Sequence, residues 1–284
     1  MRRIFPVGIL VMIGVLGLCS QLWAGVTVGV LSGPLPSGPG DPLPSLTILD
    51  MTKRWCHLSV EASTGIAQST LNQTFIVTNA PDPNMPLTLL LIIPKPGGQE
   101  YTKPWDFQLT IGNRILHANP TPCKPEQLQT LIDLLGPLAD KALAGSHLLA
   151  AIPLVGIPSE SLAAGSEIIL KASFIHKGLM KSDTCMFTIP TRVHMLQEGI
   201  VKSLKYEINI KGGGEPQAAW LGTWAPGFGD RVHGGLGGRA AWHSPRADVL
   251  QTPGGWQVSI QLSDVKPREQ LTADFAVLIP NIVR

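Results

Sequence analysis

In the stretch 69–78, STLNQTFIVT, Leu71, Phe75 and Val77 fall on one side of an extended chain, while Asn72, Thr74 and Thr78 fall on the other. A period of two cannot be laid on one face of a helix; it is the pattern of a half-buried antiparallel strand. Similar runs recur along the chain, each bounded by turn residues: LTILDM, CHLSVEAS, PLTLLLIIP, WDFQLTIGNRIL, EIILKASFIHK, TCMFTIPTRV, SLKYEINIK, GWQVSIQLSDV and LTADFAVLIP. The 30 glycines and 25 prolines suit many short strands joined by tight turns. The expected fold is therefore mainly β: an antiparallel β-sandwich with one helical insertion and a second small β unit.

The helical insertion is the one break in this pattern. In PEQLQTLIDLLGPLADKALAG, Leu128, Leu131, Ile132, Leu135, Leu138, Ala139 and Ala142 recur at helical spacing. Pro125 suits a first turn, Glu126 its positive end, and Gly145 a stop. Gly136-Pro137 is expected to kink or split the helix, and the apolar stripe to pack on a sheet.

The first 24 residues, MRRIFPVGILVMIGVLGLCSQLWA, place Arg2 and Arg3 before an apolar run too short for a typical membrane span. They read as a signal peptide cleaved near Ala24, so the expected location is exported: periplasmic, cell-surface or extracellular. No stable membrane span is expected after cleavage. Residues 25–45 are rich in proline and glycine and read as a linker. A domain over 46–196 and a C-terminal β segment over 197–284, with a Gly/Trp-rich insertion, complete the expected organisation.

The leader holds two arginines and no acids, which leaves 20 basic and 20 acidic residues beyond it. A balanced, unclustered charge gives no footprint for nucleic acid. Lys202, Lys205 and Lys53-Arg54 are read as solvated strand edges. Cys56, Cys123 and Cys185 remain after cleavage, enough for one disulfide and one free thiol, with the pairing open.

Several segments, in order, carry a resemblance. Gly65-Ile-Ala67 leads into Gln73-Thr-Phe75-Ile-Val-Thr-Asn79; Ile92-Ile-Pro94-Lys-Pro96-Gly97-Gly98 and Phe107-Gln-Leu-Thr-Ile111-Gly112-Asn-Arg114 follow. Further on come Gly165-Ser-Glu167, Met186-Phe-Thr-Ile-Pro190-Thr-Arg-Val193, Ser244-Pro245 and Asp274-Phe275-Ala-Val-Leu278. This succession resembles the vault protein inter-alpha-trypsin (VIT) domain. The resemblance implies a non-catalytic binding or assembly module that engages protein partners. The metal-binding D-x-S-x-S of the von Willebrand A domain that often accompanies the family is absent from the sequence, so its adhesion chemistry does not transfer.

Candidate sites are few. Gly235-Leu-Gly237-Gly-Arg-Ala240 fits G-x-G-x-x-A, but the flanking strand, helix and acid of a dinucleotide site are missing, so no cofactor is expected. No H-E-x-x-H, C-x-x-C or G-x-S-x-G occurs, so neither a metal nor a serine nucleophile is expected. Cys56 and His57 are adjacent and should point to opposite faces of a strand. Trp220, Trp224, His233 and Trp242 cluster about the glycine-rich insertion and are the expected ligand- or partner-binding residues. Tryptophans on loops stack on sugar rings or enter partner pockets, so a polysaccharide-binding module is the first alternative function. A cysteine- or metal-dependent hydrolase without a recognisable motif, to be tested at Cys185, is the second.

Overall fold

The computed structural model describes residues 26–38, 40–94, 106–117, 120–136, 147–181, 184–189, 199–221, 230–232, 242–244, 247–266 and 274–280. The chain is mainly antiparallel β, as the alternation requires. Its layout is unlike a pair of equal sheets: twelve strands form one branched sheet, four form a second, and two form a separate hairpin.

The organising element is β2 (Ser45–Glu61), a strand of 17 residues. Its first four residues pair with β1 (Val26–Ser32), and from Leu49 on it pairs with β3 (Ile66–Val77). From Lys53 to Glu61 it also lies parallel to β12 (Val201–Lys211). A bulge between Met51 and Lys53 shifts the phase of the strand. Leu49 and Met51 point inward before it; Arg54, Cys56, Leu58 and Val60 point inward after it. The bulge thus decides which residues of β2 reach solvent.

Around β2 the main sheet has three branches. One continues through β1 to β4 (Leu87–Pro94), β8 (His147–Pro153) and β7 (Thr121–Pro122). Another runs through β3 to β9 (Glu167–Lys177), β5 (Asp106–Ile111) and β6 (Arg114–Leu116), and the third runs through β12 to β17 (Gly255–Val265) and β16 (Asp248–Thr252). The β5–β6 hairpin turns on Gly112, whose φ of +55° excludes most side chains. Gly29 sits at a bulge in β1, so close to the Thr47 carbonyl that a β-carbon would collide with it.

Two cores result. The larger gathers inward residues of β2, β3, β9, β12 and β17, with Val30, Leu89, Leu91 and Ile152 from the branch through β1. It also takes Cys185 and Phe187 of β11 (Thr184–Ile189) and Val277 and Ile279 of β18 (Asp274–Ile279). The smaller lies on the opposite side of β1, β4 and β8, where Leu31, Leu90, Ile92 and Leu149 meet Leu128, Leu131 and Leu135. Those leucines belong to α1 (Pro125–Thr130), the junction residue Leu131 and α2 (Ile132–Leu135). The apolar stripe does pack on a sheet, but the helix breaks at Leu131, before Gly136-Pro137, and α2 ends at Gly136 with φ +54°. Residues 137–146 lie outside the described residues.

Three expectations change. The linker expected over 25–45 begins with a strand: β1 runs between β2 and β4 with Val30 and Leu31 fully buried. The alternation of VTVGV governs there, and the proline-rich tether starts only beyond Ser32. The segment after residue 197 does not stand apart from the rest. It places β12, β16 and β17 in the main sheet, and it sets β13 (Gln217–Leu221) and β18 beside β11 and β10 (Leu179–Lys181). Arg54, expected at a solvated edge, is 2% exposed, because the bulge turns it into the core. There its Nη1 donates to the Tyr206 hydroxyl oxygen at 3.4 Å. Beside it the Gln73 side-chain nitrogen donates to Met51 Sδ at 3.2 Å.

Candidate functional site

Because β9, β3, β2, β12 and β17 turn one face to the core, their other face carries the alternate residues in register. One row crosses the sheet through Lys171, Asn72, Trp55 and Lys205. The next crosses through Ser173, Thr70, His57, Glu207 and Ser259. A third carries Thr74, Lys53 and Ser203. Outward positions on this face are dominated by hydroxyl and amide side chains.

Trp55 lies among them with 41% of its surface exposed. Two residues along β2, the His57 ring has its centroid 6.1 Å from the indole, with the planes inclined at 51°. Glu207, on the neighbouring β12, accepts from Lys205 Nζ at 3.0 Å and lies 3.6 Å from His57 Nδ1. The hydrogen bond from Lys205 holds the Glu207 carboxyl below the usual carboxylate range; its partial burial opposes this, and the Lys205 and His57 charges and a Gln257 hydrogen bond add to the lowering. Glu207 is therefore a fixed, ionised acceptor at neutral pH. It is not suited to donate a proton as a general acid. A flat indole, a tilted imidazole and a pinned carboxylate on rigid central strands make a preformed recognition surface.

Away from this face, a cleft of about 340 Å³ opens where β4 begins and β8 ends. Met85, Pro86, Leu87, Pro153, Val155 and Ile157 line much of it, and no titratable side chain does. It offers apolar contact without acid–base chemistry.

The thiols are placed for packing. Cys56 and Cys185 are buried in the larger core, and burial pushes each up to about 12, with Arg54 pulling Cys56 partly back. Cys123, between β7 and α1, is pushed up to about 11 for the same reason. All three are free, so the one disulfide allowed by their number is not formed in this structure. Burial of this kind disfavours the thiolate, so the described surroundings of Cys185 do not activate it as a nucleophile. Cys56 and His57 face opposite sides of β2, as strand alternation demands. Among the described residues no group of three metal-ligating side chains converges, and no helix is long and apolar enough to cross a membrane.

Of the four expected binding residues, Trp220 lies in β13 opposite Phe275. Trp242 lies in β15 (Trp242–Ser244), which pairs antiparallel with β14 (Asp230–Val232), Trp242 opposite Val232. Gly235-Leu-Gly237-Gly-Arg-Ala240 lies outside the described residues. Trp224 and His233 lie outside the described residues. Trp55, His57, Lys205 and Glu207 were not among the expected site residues. Their signal is in the sequence: with Cys56, Leu58 and Val60 inward, Trp55 must occupy the polar phase of CHLSVE.

Comparison with protein-family models finds no match, and comparison with curated proteins finds none. Among solved structures, a Legionella pneumophila protein to which nutrient binding is ascribed aligns with 89% of this chain and 72% of its own, at 12% identity and a TM-score of 0.42. A likeness that distant carries no inference about what this chain does.

Proposed function

We propose that the chain is an exported, non-catalytic binding module of the cell surface or periplasm, and that it recognises its ligand through the outer face of the main sheet at Trp55. The observation that carries this reading is the exposed indole beside a pinned Glu207 on the central strands. Among the described side chains Trp55 is the one exposed tryptophan, tyrosine or phenylalanine, and its flat ring offers a stacking platform to a ligand. The high thiol values argue against nucleophilic chemistry at the described cysteines. The leader-like first 24 residues support export, and the order of VIT-like segments supports a binding or assembly role; several of those segments coincide with β3, the β5–β6 hairpin, β11 and β18.

The same face favours the polysaccharide alternative over a protein partner, and it moves that site from the tryptophan-rich insertion to Trp55. A protein interface of standard size has an apolar core, and here the apolar outward residues Ile66, Ile175 and Leu250 stand apart from Trp55.

The test is retention of the full chain on native envelope material. Trp55→Ala is expected to lose retention with an unchanged melting temperature. Retention equal to that of the parent would overturn the reading.

A further inference from the structure

Charge on the outer face is uneven around the indole. Lys205 faces Trp55 across the β2–β12 ladder, Lys53 lies two residues before it on β2, and Lys171 shares its row two strands away, about 10 Å across the sheet. The acid nearest to this group, Glu207, is already held by Lys205. Lys53 and Lys171 form no ion pair with a described residue, and Lys211 at the end of the face is paired with Glu61 at 3.3 Å. Asp50, in the row beyond Lys53, also turns outward and accepts from the Gly199 N–H at 2.9 Å, and Glu167 and Asp248 turn outward on β9 and β16, so that Lys53, Lys171 and Lys205 outnumber Glu207 and Asp50 near the indole. The patch around the indole is thus net positive, flat and lined with hydroxyls and amides: Asn72, Thr70, Thr74 and Ser203.

We propose that this patch binds an acidic polysaccharide of the uronic-acid type. The proposal rests on the binding-module reading given above and names its ligand class. One sugar ring stacks on Trp55, with its hydroxyls donating to Glu207 and exchanging hydrogen bonds with Asn72 and His57. Carboxylates of neighbouring units along the polymer meet Lys53 and Lys171. Three properties select this ligand. A face of paired strands presenting its side chains in rows suits a long chain lying across strands better than a small molecule sunk in a cavity. A single indole offers one stacking platform, matching one ring of a polymer. Two lysines without an acidic partner complement repeated negative charge along it.

The experiment measures binding of the full chain to polygalacturonate, with neutral dextran and polyglutamate as comparators. Polyglutamate carries the charge without the ring, and dextran the ring without the charge. The parent is expected to bind polygalacturonate, more weakly as salt rises, and to bind either comparator at least about tenfold more weakly. Trp55→Ala should weaken binding by more than about tenfold, whereas Trp55→Tyr should retain most of it. Lys53→Gln with Lys171→Gln should weaken it about tenfold and flatten the salt dependence. The melting temperature of each variant shows whether it is folded, and Trp55→Tyr keeps the test valid if Trp55→Ala is not. Absence of polygalacturonate binding at low salt, binding indifferent to Trp55→Ala in a folded variant, or equal affinity for either comparator would overturn the proposal. Should Trp55-dependent retention on envelope material survive that result, the ligand class fails and the binding-module reading stands. Loss of both would sink the two together.

Discussion

The two faces of β2 carry opposite kinds of information. Inward from Arg54 to Val60, each residue is packed so closely that its identity is dictated by neighbours in β3 and β12. Outward over the same span, Trp55, His57 and Ser59 meet solvent, and folding constrains them only weakly. The backbone is shared, so the contrast comes from side-chain phase alone, and one bulge at Thr52 sets that phase. A single inserted residue in the strand thus separates the part of the molecule that holds the fold from the part free to bind.

Substitutions on either face can break that comparison. Leu58→Ala removes a fully buried side chain from the larger core and is expected to cost about 2–5 kcal/mol, read from denaturant unfolding. Its outward neighbour Ser59→Ala should cost no more than about 0.5 kcal/mol by the same measurement. Equal costs would show that the faces are not distinct. Arg54→Ala should destabilise by about 3–5 kcal/mol, because it strips the core of a buried, hydrogen-bonded cation and leaves a cavity. Arg54→Met, which fills the space without charge, should recover most of that loss. If Met is as damaging as Ala, the charge itself holds the core together.

The smallest effect concerns pH. The folded Glu207 carboxyl titrates below its unfolded value, so its contribution to stability is complete above the unfolded value and is lost as pH falls through the folded one. Glu207→Gln should therefore lower stability slightly at neutral pH, with the difference from the parent vanishing as pH falls through the folded value, so that the acid limb is flatter. An acid limb identical to the parent's would mean that the Lys205 bond does not persist in solution.

Much of this was legible in the sequence. STLNQTFIVT announced β3, and its inward residues Leu71, Phe75 and Val77 are all buried. The leucine stripe after Pro125 announced helices packed on a sheet. What could not be read was the phase of β2 across Thr52, since a bulge is defined by the partner strand, which the local pattern does not show. For that reason Lys53-Arg54 looked like a solvated pair, whereas only Lys53 reaches water. β1 was hidden differently: its alternating valines were overshadowed by the proline-rich stretch that follows. Trp55 carries a weaker sequence signal than the tryptophan density of 220–242, because it is a single tryptophan in the polar phase of a strand.

The division of labour between the faces is tested most directly by a paired measurement on Trp55→Ala: melting temperature and retention on native envelope material in the same preparation. The melting temperature is expected to stay within about 2 °C of the parent, as for a surface change of at most a few tenths of a kcal/mol, while retention is lost. A variant that unfolds, or one that folds and is retained as well as the parent, would contradict the account.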